Sequence, residues 1–197
     1  MDTYDLLEHN NNLTSYYYFS NIFTDEQIEK IKELFNKYNK IEGNVSGTVD
    51  LSYRVSNISW FPVNEETKFI YETLCDLAKI ANSRIWKFHV TNNKEQIQVA
   101  EYKADPDGVH NGHYDWHMDF GSNIASTRKL SVSVQLSDPS EYEGGDLELM
   151  INRAHIKVPR EKGTIIFFPS YITHRVTKVT SGKRNSLVTW FHGPSFV

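Results

Sequence analysis

A single cysteine, Cys75, stands in the 197 residues, which excludes an internal disulfide and a cysteine-based zinc or iron–sulfur site within one chain. No apolar run approaches the roughly 18 to 20 residues that a membrane-spanning helix requires. The opening Met1-Asp2-Thr3-Tyr4-Asp5 lacks the basic start and apolar middle of a signal peptide. Both absences predict a cytoplasmic protein with no membrane partner. A basic excess is missing too: 21 Lys and Arg against 25 Asp and Glu leave a net charge of −4, which argues against nucleic acid as a partner. With only 10 Gly and 6 Pro, the collagen-like and low-complexity classes drop out. What the chain has instead is 13% aromatic residues, 11 of them Tyr, and 8 His.

The length suits one domain over 1–197. Thr24 followed three residues later by Gln27 forms a capping box, and Ile28, Ile31, Leu34, Phe35 and Tyr38 recur behind it at helical spacing. A second helix is predicted over about 65–82 from Phe69, Ile70, Leu74, Leu77, Ala78 and Ala81, with Cys75 a small buried residue within it. The stretch 42–62 reads as strands or loop. The polar first dozen residues, ending Asn10-Asn11-Asn12, read as a frayed end or an added strand. From Arg84 short β-rich runs follow at 85–90, 97–102, 114–120, 130–136, 146–149, 154–158, 164–168, 174–179 and 186–191. Turn residues such as Asp105-Pro106-Asp107-Gly108, Gly144-Gly145 and Ser181-Gly182 separate them. No helix-length pattern interrupts the series, so parallel βαβ units are disfavoured and a sandwich or jelly roll is expected. The organisation predicted is a helical support region, 1–83, followed by a catalytic-sized β-core, 84–197.

The densest polar segment is His113-Tyr114-Asp115-Trp116-His117-Met118-Asp119-Phe120. At period two, Tyr114, Trp116, Met118 and Phe120 share one face and His113, Asp115, His117 and Asp119 the other. Alternating imidazole and carboxylate is costly to bury without a partner, and a metal is the obvious one. His117 and Asp119 point the same way; His174, after the apolar strand 164–168 and the turn at Pro169, is the best third ligand. Two histidines and one carboxylate leave open positions on a metal, the arrangement of non-haem Fe(II) oxygenases. A zinc pair of His113 and His117 would need a helix, which the alternation opposes. The other histidines are given plain roles: His110 and His113 in a loop or behind the ligands, His9, His89 and His155 in surface or packing positions, and His192 at a terminus. An Fe(II) site that uses a keto acid needs a fixed cation for the acid's far carboxylate. Arg184, with Ser186 on the same strand face, suits that task.

In order, His117-x-Asp119, His174 and Arg184-x-Ser186 resemble the signature of Fe(II)/2-oxoglutarate dioxygenases. Val99-Ala100-Glu101-Tyr102, Leu136-Ser137-Asp138-Pro139, Tyr142-Glu143-Gly144-Gly145-Asp146-Leu147, Phe167-Phe168-Pro169-Ser170 and His174-Arg175-Val176-Thr177 resemble blocks of its prolyl 4-hydroxylase-like, PKHD-type group. The likeness spans about residues 84–194. It implies a mainly β fold with supporting α, a double-stranded β-helix or jelly roll preceded by two helices. It also implies His117, Asp119 and His174 as iron ligands, Arg184 as the partner of the 2-oxoglutarate distal carboxylate, and Ser186 and Tyr102 as helpers. Arg128 falls where related enzymes carry a substrate-side arginine. Collagen-type relatives use lysine where Arg184 stands, which leaves neighbouring Lys183 as the competing cation. Gln135 replaces a tyrosine that contacts the co-substrate in some relatives. The implied reaction consumes Fe(II)-bound 2-oxoglutarate and O2, with ascorbate as an accessory reductant, and hydroxylates a prolyl residue of a peptide or protein. A free amino acid or other small molecule as substrate, and a non-catalytic metal-binding jelly roll, are the alternatives; the oligomeric state stays open.

Overall fold

The computed structural model describes residues 15–43, 49–91, 93 and 95–195; the Asn10-Asn11-Asn12 stretch and His9 lie outside them. A short strand, β1 (Tyr17–Phe19), precedes helix α1 (Asp25–Lys37). The Thr24 and Gln27 capping box is formed in both directions, so two of the four orphan N–H groups at that end are satisfied by side chains. Ile28, Ile31, Leu34 and Phe35 are buried, each stabilising the fold by about 1.5–3 kcal/mol relative to exposure. Strands β2 (Ile41–Glu42), β3 (Arg54–Val55) and β4 (Asn57–Phe61) lead to helix α2 (Lys68–Arg84). That helix starts three residues later than its periodicity suggests. Asn64 accepts the N–H groups of Glu66 and Thr67 on its side chain, which holds a turn where the first helical turn was expected.

The remaining strands are β5 (Ile97–Lys103), β6 (His113–His117), β7 (Arg128–Gln135), β8 (Tyr142–Gly144), β9 (Leu147–Ile151), β10 (Ala154–Lys157), β11 (Ile165–Pro169), β12 (His174–Val176) and β13 (Val179–His192). They form two antiparallel sheets. The larger runs β1-β11-β7-β13-β5-β4-β2 with β8 beside β13; the smaller runs β10-β9-β12-β6-β3. This is the expected mainly β jelly roll with two helices before it. Residues before 84 contribute four strands as well as the helices. No described helix is long and apolar enough to cross a membrane.

Period-two alternation decides what each face of the larger sheet does. Ile97 and Val99 on β5, Leu130 and Val134 on β7, Ile165 and Phe167 on β11, and Leu187 on β13 pack with α1 and α2 in one apolar cluster. Their alternates are Gln98 and Tyr102, Ser131, Ser133 and Gln135, and Arg184, Ser186 and Trp190, which face away from the helices. A polar inner face on a strongly buried sheet is expensive unless it serves a ligand. Many of these residues line a cavity of about 980 Å3 between the two sheets.

Two expectations are corrected. The run 85–90 is not a strand: Lys87 adopts φ 54°, and the Asn82 side chain bonds both the N–H and the carbonyl of Phe88, so the segment is a looped exit from α2. Ser181-Gly182 is not a turn between strands but lies inside β13, paired with Glu143 and Tyr142 of β8 just past a register shift between Val179 and Ser181. Gly182 has φ 70°, and a Cβ there would lie 2.0 Å from the Glu141 carbonyl oxygen. A Gly182→Ala substitution is therefore expected to destabilise the fold by at least about 2 kcal/mol, read as a lowered midpoint in urea denaturation.

Candidate active site

Strand β6 pairs with β12 so that His117 lies directly opposite His174. Their rings are 4.1 Å apart at the centroids. Each Nδ1 is bound to a backbone carbonyl two residues back, 2.7 Å to Asp115 for His117 and 2.9 Å to Ile172 for His174. That bond makes Nδ1 the protonated nitrogen and leaves the Nε2 lone pair for a ligand. Asp119 completes the group from beyond the end of β6. Its carboxylate oxygens lie 3.9 Å from His117 Nε2 and 3.6 Å from His174 Nε2. Among the described residues these three are the only group of His, Cys, Asp or Glu able to hold a metal ion, their ligand atoms all within 4.8 Å. Two imidazole nitrogens and a carboxylate suit a first-row divalent ion.

The surroundings keep these groups in ligand form. Burial first, and then the neighbouring His174, pull His117 down to about 3, so its imidazole is neutral at working pH. Burial alone would raise the Asp119 carboxyl, but the two histidines, the Ser131 hydrogen bond and Arg128 outweigh it and hold the group below its ordinary value. Ser131 Oγ donates to Asp119 Oδ2 at 2.6 Å and lies 3.1 Å from Ser170 Oγ.

The predicted two-faced segment is only partly realised. Opposite β12, His174 pairs with His117 while Val176 pairs with Tyr114, so one extra residue is accommodated in β6. That irregularity turns Tyr114 onto the side of His117, and the two rings stack 3.5 Å apart at 16°. Burial pushes the Tyr114 phenol up to about 12. Arg54 covers Tyr114 at 4.5 Å. Met118, assigned to the apolar face, is 52% exposed at the cavity rim. His113 bonds the Asn111 carbonyl, and His155 packs on Trp116 at 4.8 Å, both outside the three-residue group.

Arg184 is the largest fully buried side chain, 1% exposed. It donates from Nη2 to Gln135 Oε1 at 2.9 Å and from Nη1 to Ser186 Oγ at 3.3 Å, while its Nε has no hydrogen-bond partner among the described residues. Tyr102 lies beneath its guanidinium at 5.6 Å. Among the described residues no carboxylate pairs with it. Lys183 points the other way, 52% exposed and 3.5 Å from Glu101, because alternate residues of a strand face opposite sides. Arg128 lines the cavity, but its fork is closed on Glu95, its Nη1 donates to the Asp119 carbonyl, and it lies 3.8 Å over Trp190. His192 is not a loose terminal residue. It is fully buried, with Nε2 3.0 Å from Glu95. Glu95 and Ser131 escaped the sequence reading. Ser131 and Ser133 alternate with Leu130, Val132 and Val134, a pattern that marks a polar inner face; Glu95 sits in a loop with no such signal.

A jelly roll holding a His-x-Asp and a distant His around an inward arginine defines a class of metal-dependent oxygenases. The sequence model of the 2OG-Fe(II) oxygenase superfamily matches residues 97–192. A PKHD-type hydroxylase of Acinetobacter baumannii is 25% identical over 187 residues, covering 88% of this chain and 76% of that one. A prolyl-4-hydroxylase from Pseudomonas putida superposes with a TM-score of 0.73 at 16% identity, covering 91% and 93% of the two chains. A prolyl hydroxylase from Trichoplax adhaerens, solved with a peptide fragment of hypoxia inducible factor, gives 0.77 at 16% identity, covering 98% and 94%. Over residues 97–192 the chain matches the 2OG-Fe(II) oxygenase superfamily, and the relatives it resembles along most of its length are PKHD-type hydroxylases. It is an oxidoreductase that uses Fe(II), 2-oxoglutarate and O2.

A buried cation without a countercharge is a cost until an anion arrives. Without co-substrate, Arg184→Met is expected to melt at or above the parent temperature. Millimolar 2-oxoglutarate should raise the parent by about 5 °C or more and leave the variant unmoved, as read by differential scanning fluorimetry.

Proposed function

We propose that the protein hydroxylates a prolyl residue of a peptide or protein, with His117, Asp119 and His174 as iron ligands. In this reading Arg184 holds the distal carboxylate of 2-oxoglutarate, Ser186 adds a hydrogen bond to it, and Tyr102 forms the wall beneath the guanidinium. Bound Fe(II) with 2-oxoglutarate and O2 supplies the oxidising chemistry, releasing succinate and CO2 as a C–H bond is hydroxylated. The chain's own residues have narrower tasks. The Asp115 and Ile172 carbonyls orient the two imidazoles, Ser131 orients the carboxylate, and the aromatic walls exclude water.

The co-substrate reading rests on one observation above the others: a fully buried guanidinium in the cavity that no described carboxylate neutralises. The planar fork of arginine matches a carboxylate with two parallel hydrogen bonds. Gln135 contributes as an acceptor that fixes one Nη2 hydrogen and keeps the fork aimed.

For the substrate, the cavity lining carries the argument. Trp60, Tyr102, Tyr114, Trp116 and Trp190 supply aromatic surface, and Asp119 is the single carboxylate among the described lining residues. With Asp119 given to the metal, nothing acidic there receives the ammonium group of a free amino acid. A proline within a chain carries no such charge, and its ring suits aromatic faces. A small carboxylate-bearing substrate is the second reading, favoured by Arg54, a further guanidinium in the same lining beside Arg128 and Arg184.

The test is mass spectrometry of proline-containing peptides after incubation with the protein. A product heavier by one oxygen atom, dependent on both Fe(II) and 2-oxoglutarate, is expected; product from free amino acids alone would favour the second reading. Asp119→Ala and His174→Ala should each reduce substrate-dependent succinate formation to background. Full turnover in either variant would remove that residue from the ligand set.

A further inference from the structure

Asp119 is the member of the three-residue group that regular secondary structure does not hold. It lies two residues past the end of β6, after exposed Met118 and before Gly121. Three bonds fix it from outside. Ser131 Oγ holds the carboxylate, the N–H of the next residue, Phe120, donates to the Ser170 carbonyl at 2.9 Å, and Arg128 Nη1 donates to the Asp119 carbonyl at 3.1 Å.

Arg128 is itself built in. Glu95 takes Nε and Nη2 together in a two-point fork, and the guanidinium lies 3.8 Å over the Trp190 ring. Glu95 is then anchored on one side and flanked on the other. Its own N–H donates to Asn93 Oδ1 at 2.9 Å, and Asn93 Nδ2 donates to Thr189 Oγ1 at 2.7 Å. On the other side lies His192 Nε2, 3.0 Å away, its Nδ1 2.8 Å from Thr127 Oγ1. Thr189 and His192 are both 0% exposed. The chain of contacts thus runs from the buried end of β13, through Glu95 and Arg128, to the backbone of Asp119.

We propose that Arg128 is a positioning residue for the reaction: clamped by Glu95, it fixes the main chain of Asp119 so that the carboxylate is presented to the metal. The inference rests on the reading of Asp119 as an iron ligand. It gives Arg128 a different task from the substrate contact that the family resemblance implies. To reach a substrate, the guanidinium would have to abandon a bond to Asp119 or to a carboxylate that is itself only 13% exposed.

The experiment is anaerobic titration of the chelator-treated full chain with Co(II), followed by its visible spectrum, and with Mn(II) by calorimetry. Loss of an outer partner of a metal ligand typically weakens metal binding 10–100-fold, and Arg128→Gln is expected to fall in that range with an altered Co(II) spectrum. Arg128→Lys should recover part of the affinity, because an ammonium can still reach the Asp119 carbonyl. Glu95→Gln keeps the shape of the clamp while weakening it, so it should show a smaller loss; it carries the test if the Arg128→Gln chain does not fold. Parent-like Co(II) affinity and spectrum in folded Arg128→Gln and Glu95→Gln, with only substrate-driven turnover lost, would overturn the proposal in favour of a substrate contact. Equal Co(II) affinity in the parent and Asp119→Ala would instead remove Asp119 from the metal.

Discussion

Antiparallel pairing of β6 with β12 sets His117 directly across from His174, and directly opposed residues on one face of a strand pair bring their Cβ atoms to within about 5 Å. Two imidazoles held that way, each with Nδ1 tied to a carbonyl of its own strand region, have little choice but to aim Nε2 at a common point. Asp119 can meet that point only because the chain leaves β6 at His117 and turns inward. The rest of the molecule supplies the conditions for this geometry. β9 and β3 flank the pair, the larger sheet closes the other side of the cavity, and Ser131 on β7 reaches across to the carboxylate.

The larger sheet divides its labour by face. Its outer residues, packed under α1 and α2, form the chief apolar cluster and hold β5, β7, β11 and β13 in place. The inner face can therefore carry groups that would otherwise be destabilising: Gln98, Ser131, Ser133, Gln135, Arg184 and Ser186. Arg184 is the extreme case, a guanidinium buried as deeply as the apolar core. A protein tolerates such a charge where a ligand neutralises it, which is why the same residue is both the least favourable buried group and the strongest pointer to an acidic co-substrate.

The helices, the jelly-roll class and the grouping of His117, Asp119 and His174 were legible before any coordinates. Helical spacing with a capping box, short turn-bounded runs, and a His-x-Asp in an aromatic strand each report a local physical preference. Three readings failed where a distant or irregular contact outweighed the local pattern. Ile85 to Val90 has the composition of a strand, yet Asn82 captures Phe88 and loops the chain. Tyr114 alternates with His117 in sequence, yet the irregular register of β6 puts the two rings face to face. His192 lies close to the end of the chain, yet the Glu95 contact draws it into the interior.

Composition and period by themselves determined that this chain builds a β-core behind two helices, that it makes no internal disulfide, and that an imidazole and a carboxylate two residues apart need a partner. They also singled out the segment carrying Arg184. Which of Lys183 and Arg184 turns inward, and what company Arg128 keeps, only the tertiary structure decided. Lys183 meets Glu101 at the surface and Arg184 meets Gln135 in the cavity because the register of β13 against β5 and β7 fixes which alternate residues face inside. Arg128 meets Glu95, 33 positions earlier, through a loop contact that no spacing along the chain encodes. Local preferences act over a few residues, whereas the partners of a buried charge are chosen by how whole strands pack.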